Sequence, residues 1–336
     1  EYGISTFISH FFKTTGELVQ FHNAEIKDFL AAEAICNMDS PEYVLYDLAV
    51  HLEFHSFYPN WIDICRHICY INPEILVNVF PLINREKGIS SSLIDLLKYI
   101  NCDRISEQSK ASLFKEVCVF YQVNAIHVSH SSALQFLKNS YVPYINKELL
   151  RTIDVHNEEF IKDNSFRISN DIAIIGELYE NNKLQDENLI SEWLVYADEL
   201  VTYRNVPLIV NSVYDLWNRT KAYDKIHSFV VGDTGFRTLP VKLQHSFFNH
   251  ISYCGYEDEE YVKLLIEKAF GESENCYAVA GCMHLQSAEY IKIVFDNLFS
   301  SEDYFRRFID PHGSLVVLHS LLANQLKILL EKNNEE

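Results

Sequence analysis

Two histidines with helical spacing are the first residues whose types could support metal chemistry. His51 and His55 lie four positions apart, so they would share one face of a helix. Zinc proteases use such a pair, but their catalytic glutamate directly follows the first histidine. Here Leu52 follows, and Glu53 would lie on another side of the helix. The pattern therefore favours packed or surface histidines over a zinc protease site.

A second candidate for metal binding is the run that contains Cys65, His67 and Cys69. Cys65 and Cys69 would share a helix face, whereas His67 would lie about 200° away from Cys65. A structural zinc site needs four such ligands, and no second Cys/His cluster in the sequence supplies the others. We therefore expect packed side chains here and no metal site.

Nucleophilic catalysis is the third chemistry to consider, because His127 and His130 lie beside Ser129, Ser131 and Ser132. A Ser/His pair needs a third group to orient the histidine and a strained turn to present the nucleophile. Neither is visible in the sequence. The serines are more typical of a helix N-terminus, where a hydroxyl can cap the first turn.

Phosphate binding by a glycine-rich loop is not supported, because no Gly-x-x-x-x-Gly-Lys-Ser/Thr motif occurs in the sequence. Gly232 and Gly235 lack the lysine and a preceding strand, so we predict a turn over 231–236. The run 258–260 is acidic and suits the start of a helix. We predict that the chain is no enzyme and has no catalytic or metal-binding residue. An all-α enzyme with a site that these patterns do not reveal stays an alternative.

The elements that would position these residues are helices. The 336 residues include only 10 Gly and 8 Pro, too few for the many turns of an all-β fold. In 107–121, one helix face would carry Leu113, Phe114, Val117, Cys118 and Tyr121. Helices are predicted near 42–54, 60–70, 73–83, 90–100, 107–121, 130–139, 146–153, 169–181, 186–203, 206–219, 222–230, 240–253, 258–269, 274–283, 286–299 and 313–331. We expect an all-α fold, an irregular HEAT-like α-α superhelix (solenoid), with a compact all-α domain as the alternative.

Charge and composition restrict the partners. The formal net charge is -19, and no run of basic residues occurs, which argues against a dedicated nucleic-acid surface. No uncharged apolar run is long enough to span a membrane. The eight cysteines are expected to be buried, reduced thiols in a cytoplasmic protein.

The stretch 19–35 carries the most information. Val19 to Phe21 alternates apolar and polar residues, as in a short strand, and Asn23 can cap the helix that follows. One face of that helix would carry Ile26, Phe29, Leu30 and Ala34. Before the strand, we expect an apolar helical patch that ends at Phe12 and a break over 14–16.

This stretch resembles the end of the winged-helix domain in NACHT-type NTPases of the STAND class, where the pattern is roughly Phe-x-His-x-x-x-Gln-Glu-Phe-Leu-Ala-Ala. The match consists of Phe21 and the run Asp-Phe-Leu-Ala-Ala at 28–32. In the family, the histidine contacts the nucleotide phosphates of the neighbouring ATPase domain. That position falls on Asn23, with His22 one residue early, and Lys27 replaces the usual Gln. The resemblance implies nucleotide-phosphate sensing by His22 and Asn23, although Asn cannot carry a positive charge.

The resemblance implies two regions: 1–36 as a small winged-helix remnant, and 37–336 as a helical-repeat sensor or interaction domain with a sub-boundary near 154–170. The polar residues of 154–170 suggest a longer connection there. Because the chain begins with Glu1, we expect a piece of a longer protein with the NTPase core upstream.

The implied function is a non-catalytic sensor and regulatory region that recognises a trigger protein, such as a phage protein, in antiviral defence. It would control nucleotide-dependent oligomerisation of the whole protein. ATP or ADP would bind to the upstream NTPase domain, and this fragment would hold no cofactor. The alternative is a stand-alone HEAT-like scaffold for protein–protein interaction.

Overall fold

A computed structural model describes residues 12–15, 18–21, 23–54, 56–83, 91–123, 128, 132–143, 153–184, 186–271, 276–300 and 323–331. Within these ranges, helices predominate and the strands form only two short pairs. The all-α class predicted from the sequence is confirmed at this level. The chain divides into two compact units, Glu1–Arg151 and Thr152–Glu336.

The first unit opens with an antiparallel strand pair. Its strands are β1 (Phe12–Thr15), β2 (Leu18–Phe21), β3 (Val50–His51) and β4 (Ser56–Phe57), and its helices are α1 (Ala24–Cys36), α2 (Pro41–Ala49), α3 (Ile62–Ile71), α4 (Pro73–Ile83), α5 (Ser91–Leu96), α6 (Glu107–Val123) and α7 (Ser132–Ser140). Strand β1 pairs with β2, and β3 pairs with β4, each in antiparallel register. The helical patch predicted to end at Phe12 is wrong at that residue, which begins β1.

Helices two apart in the chain pack against one another in this unit. Helix α1 packs on α3, α2 on α4, α4 on α6, and α5 on α7. The face predicted for α6 is confirmed, because its five apolar side chains are all buried. Burial of each such side chain contributes about 1.5–3 kcal/mol, so this single stripe is a major part of the local core.

The helix predicted over 42–54 is wrong beyond Ala49, where α2 ends. The chain continues as β3, turns, and returns as β4, with Val50 opposite Phe57. The sequence at 50–54 alternates apolar and polar residues, a period-two pattern typical of a strand. The helix predicted to begin near residue 42 begins at Pro41, and Ser40 before it makes no side-chain cap hydrogen bond and adopts a left-handed conformation with φ 51°.

The second unit is helical throughout its described part. Its helices are α8 (Glu158–Asp163), α9 (Ser165–Glu180), α10 (Glu187–Leu200), α11 (Pro207–Thr220), α12 (Tyr223–Val231), α13 (Val241–Ile251), α14 (Glu259–Phe270), α15 (Cys276–Cys282), α16 (Ala288–Leu298) and α17 (323–331). Alternate helices again pack together: α9 on α11, α11 on α13, α13 on α15, α12 on α14, and α14 on α16.

Large aromatic side chains fill the core between these helices. Tyr214 and Trp217 of α11 contact the ring of Phe229 from α12, and Tyr214 also packs edge-on against Phe247 from α13. Trp217, Tyr214 and Phe247 are almost completely buried. Such rings remove a large apolar area from water, so they anchor α11, α12 and α13 to one another.

The longer connection expected over 154–170 is wrong, because helices α8 and α9 cover most of this range. The polar residues there have structural tasks. Asn157 caps α8 by accepting a hydrogen bond from the Phe160 amide at 3.0 Å. The Ser169 hydroxyl lies 2.6 Å from that of Ser212 in the buried contact between α9 and α11. Residues 146–152 of the helix predicted over 146–153 lie outside the described residues, and Ile153 itself is not in a helix. The start of the helix predicted over 313–331 also lies outside the described residues.

Candidate functional site

The residue with the clearest sequence assignment, Asn23, lies between β2 and α1. Its side-chain Oδ1 accepts a hydrogen bond from the Glu25 amide at 2.8 Å, which confirms the predicted cap. Asn23 is exposed, so its side-chain NH2 can reach a group outside the chain. His22, the other candidate for phosphate sensing, lies outside the described residues. The predicted strand before the cap is also confirmed as β2.

Helix α1 does not bury the face that its sequence pattern suggested. Phe29 and Leu30 are 39% and 40% exposed, whereas Asp28, Ala32 and Ile35 are the buried residues. These three are spaced four and three apart, so they form the stripe along which α1 packs on α3. Two exposed apolar side chains therefore stand just after the Asn23 cap.

A cavity of about 290 Å³ opens in the second unit around the predicted Gly232–Gly235 turn. It is lined by Trp217, Phe229, Lys225, Asp198 and Arg204 together with small and hydroxyl residues. The predicted turn is confirmed, and the Gly235 amide donates to the Gly232 carbonyl at 3.0 Å.

The charged groups of this cavity are engaged within the chain. Lys225 forms an ion pair with Asp198. The Arg204 guanidinium donates to the backbone carbonyls of Thr238, at 2.8 Å, and Thr234. Arg204 thus holds the turn in place, and Lys225 ties α12 to α10.

The described metal candidates of the sequence pack against other side chains. His51 lies in β3 and not on a helix, and its ring packs on those of Phe54 and Tyr58 at 4.5 and 5.1 Å. His55, His127, Ser129, His130 and Ser131 lie outside the described residues. Among the described residues, no group of three or more His, Cys, Asp or Glu side chains is placed to hold a metal ion.

The cysteines of α3 are packed in the core. Cys65 and Cys69 are buried free thiols, and burial raises the pKa of Cys69 to about 12. His67 points elsewhere and meets the Phe29 ring edge-on at 5.7 Å. Cys65 and Cys69 are thus packed side chains in the core, as predicted for this run.

A hydrogen-bonded cluster that the sequence did not predict links α12 to the start of α14. The Asp258 carboxylate accepts from Tyr256 at 2.6 Å and from the Tyr261 amide at 2.8 Å, and it pairs with His227. The expected helix start at 258–260 is confirmed, with Asp258 as its cap. His227 and Asp258 are 31 residues apart, and no local spacing signals such a pair.

A second unpredicted cluster surrounds Arg219 on α11. Its guanidinium donates to Asp215 at 2.8 Å and to Glu177 at 2.6 Å, and it also contacts Glu180. Glu177 and Arg219 are largely buried, with side chains 10% and 14% exposed. This network ties α9 to α11.

Comparisons with protein-family models, with curated proteins and with solved structures find no match to this chain. No helix in the described part of the chain is long and apolar enough to cross a membrane. The described residues thus define the class as an all-α protein, and the candidate surface is the exposed, Asn23-capped start of α1.

Proposed function

We propose that this chain is the non-catalytic sensor and regulatory region of a STAND, NACHT-like NTPase. The observation that carries the proposal is the β1–β2 pair followed by the Asn23-capped helix α1. A strand pair and a capped helix are elements expected at the end of a winged-helix domain, and they fall on the residues that resemble that family. The proposal places the NTPase domain, with its ATP or ADP, upstream of this chain.

The exposed side chains of α1 support a contact with that upstream domain. Phe29 and Leu30 lie six and seven positions beyond Asn23, about two helical turns, and both are more than a third exposed. Apolar side chains that face away from their own core often mark an interaction surface. In this proposal they pack against the NTPase domain, while Asn23 donates a hydrogen bond toward the nucleotide.

The helices that follow would form an irregular HEAT-like superhelix. Support comes from the packing of alternate helices in each unit, such as α9 on α11 and α11 on α13. Stacked helix pairs of this kind bury an apolar stripe against their neighbours and leave a long surface for a partner. The trigger protein, such as a phage protein, would bind this surface in the cytoplasm.

Activation would follow from differential binding. A trigger that binds only the open state shifts the equilibrium toward that state by its difference in affinity, and the open state then oligomerises. This region needs no catalytic group for that task.

The test begins with the coding sequence upstream of Glu1, which should encode a phosphate-binding loop. In the full-length protein, Asn23→Ala should then alter the nucleotide dependence of oligomer mass, measured by light scattering with ADP and with an ATP analogue. Asn157→Ala is the matched control, because it also removes an Asn cap, a loss of about 1 kcal/mol, far from α1 in the chain.

Two results would count against the proposal. If Asn23→Ala and Asn157→Ala change the nucleotide dependence of oligomer mass equally, Asn23 is only a structural cap. The absence of any upstream NTPase would favour the second candidate, a stand-alone HEAT-like interaction scaffold, which the alternate-helix packing supports equally well.

A further inference from the structure

The segment 28–65 has an unusual charge pattern. It contains seven Asp and Glu residues and no Lys or Arg. Two of the seven form ion pairs with cations just outside the segment, Asp28 with Lys27 and Asp63 with Arg66. The four carboxylates on and beside α2 and the β3–β4 pair have no ion-pair partner among the described residues; they are Asp39, Glu42, Asp47 and Glu53.

The same elements expose large apolar side chains. Tyr43 and Leu48 of α2 are 55% and 50% exposed, and Leu52 and Phe54 between β3 and β4 are 65% and 69% exposed. Tyr58, just after β4, is 39% exposed. We call these five residues, with Asp47 and Glu53, the α2–β4 surface. Single exposed apolar residues are ordinary, but this many within 16 consecutive positions is not.

Buried side chains and a backbone hydrogen bond order the α2–β4 surface. Val50 and Phe57 pair across the strands and are both buried. The Tyr58 amide donates to the Ala49 carbonyl at 2.8 Å, and the His51 ring packs on both Phe54 and Tyr58. An apolar surface that is already ordered loses little conformational entropy when a partner binds, so it is suited to docking.

We propose that the α2–β4 surface docks a cationic amphipathic segment of a partner protein, in which apolar side chains alternate with Lys or Arg. The apolar residues would pack on Leu52 and Phe54, and the cations would pair with Asp47, Glu53 and their acidic neighbours. This charge complementarity decides against two other occupants. A second copy would bring the same carboxylates together across a two-fold interface, and an anionic lipid surface would be repelled. The proposal stands whether or not an NTPase domain precedes the chain.

The test measures binding of a fluorescent synthetic peptide of Leu and Lys with helical periodicity, about 18 residues long, by anisotropy at physiological salt. The same peptide with Glu in place of Lys is the charge control and should not bind. Leu52→Ser with Phe54→Ser should weaken binding by about tenfold or more, because apolar anchors at the centre of an interface dominate affinity. Val195→Ser with Val241→Ser, at two exposed valines outside this surface, should leave the affinity unchanged.

Charge is tested in the same way. Asp47→Asn with Glu53→Gln should weaken binding by about tenfold, and more at low salt, because the ion pairs are screened as salt rises. Glu187→Gln with Glu192→Gln removes two exposed carboxylates elsewhere and is the control for general attraction to an acidic protein. All of these side chains are exposed, so equal urea midpoints should show that the variants remain folded.

Several outcomes would overturn the proposal. They are no binding of the Leu-Lys peptide, equal binding of the Glu peptide, or equal losses in the surface variants and their controls. The last outcome is measured by sedimentation equilibrium. If the chain forms a dimer and Leu52→Ser with Phe54→Ser abolishes it, the surface binds a second copy of this chain.

Discussion

Replacement of Arg219 by Met should destabilise the second unit severely, because one guanidinium neutralises several carboxylates at the α9–α11 contact. Arg219 pairs with Glu177, Asp215 and Glu180, and of these Glu177 is the most deeply buried, at 10% exposure. Methionine keeps most of the aliphatic volume of the side chain. The substitution therefore removes the charge and the hydrogen bonds while it disturbs the packing little.

The magnitude follows from what stays behind. Loss of the guanidinium leaves the buried Glu177 carboxylate without its cation, with the Asn181 side-chain amide as a donor at 3.3 Å. Removal of one partner from a buried ion pair costs about 3–5 kcal/mol, whereas an exposed pair contributes about 0–1 kcal/mol. For a unit of this size, the loss corresponds to a decrease in Tm of roughly 6–20 °C. Arg219→Lys should lie between the two proteins, because an ammonium group cannot reproduce the paired hydrogen bonds of the guanidinium.

The assay is urea unfolding followed by tryptophan fluorescence in a Trp61→Phe background. The remaining tryptophans, Trp193 and Trp217, are both 1% exposed and both lie in the second unit, so their emission reports on that unit. The control is Lys263→Met, which removes an exposed cation from pairs with Glu259 and Glu260 on α14. If Arg219→Met lowers the free energy of unfolding by no more than Lys263→Met does, the Arg219 network contributes no more than an exposed ion pair, and the reasoning fails.

Three further predictions follow from single sites. Burial acts to raise the pKa of the Asp258 carboxyl, but hydrogen bonds to Tyr256, the Tyr261 amide and His227 hold it below the usual value. The stability that this carboxylate contributes is therefore present above about pH 4, the pKa in the unfolded chain, and is lost as the pH falls through the lower folded-state pKa. The urea midpoints of the wild type and Asp258→Asn should differ at about pH 7 and converge at low pH. A difference that stays constant with pH would contradict this prediction. Gly235→Ala should cost about 1–3 kcal/mol in urea unfolding, because its Cβ would overlap the Phe229 carbonyl. The cost should exceed that of Gly255→Ala, whose Cβ would meet the Tyr223 hydroxyl at an ordinary 3.8 Å and is opposed only by a φ of +77°. The half-buried Cys36 thiol should react with Ellman's reagent in the folded protein, whereas buried Cys69 should react only after unfolding, and equal rates would disprove this protection.

Local patterns predicted the helices well where one strong apolar stripe lay between clear breaks. Helix α6 is an example, since its predicted face is buried and its bounds differ from the prediction by two residues at most. The Asn23 cap was predicted for the same reason, because a cap is a contact between residues two apart.

Competing periodicities explain the error at α2. The apolar residues of 42–54 satisfy a helical spacing at first and an alternating spacing from Val50 onward, and short runs fit both patterns. Pairing of Val50 with Phe57 buries both side chains, and this tertiary gain ends the helix at Ala49. Whether this segment forms a helix or a strand depends on the partner strand β4, which a short stretch of sequence read for helical periodicity does not include.

The clusters of the second unit were beyond local reasoning. Arg219 and Glu177 are 42 residues apart, and each is an ordinary charged residue within its own helix. Only the packing of α11 on α9 brings them together. The polar residues of 154–170 suggest a connection for the same reason, because the sequence does not show that the Ser169 hydroxyl lies against that of Ser212 in a buried contact.

Helix α1 combines a cap that the sequence predicts with a buried face that only tertiary packing explains. It buries Asp28, Ala32 and Ile35 against its own unit and leaves Phe29 and Leu30 more than a third exposed, while the Phe29 ring also meets His67 of α3. A helix in isolation would be expected to bury its phenylalanine and leucine first, since each would contribute about 1.5–3 kcal/mol on full burial. Under the proposed function, this inversion is explained by two contacts of α1, one internal and one with the upstream domain. This is why the exposed face of α1, together with the Asn23 cap, is the part of the chain where a partner is expected to transmit its state.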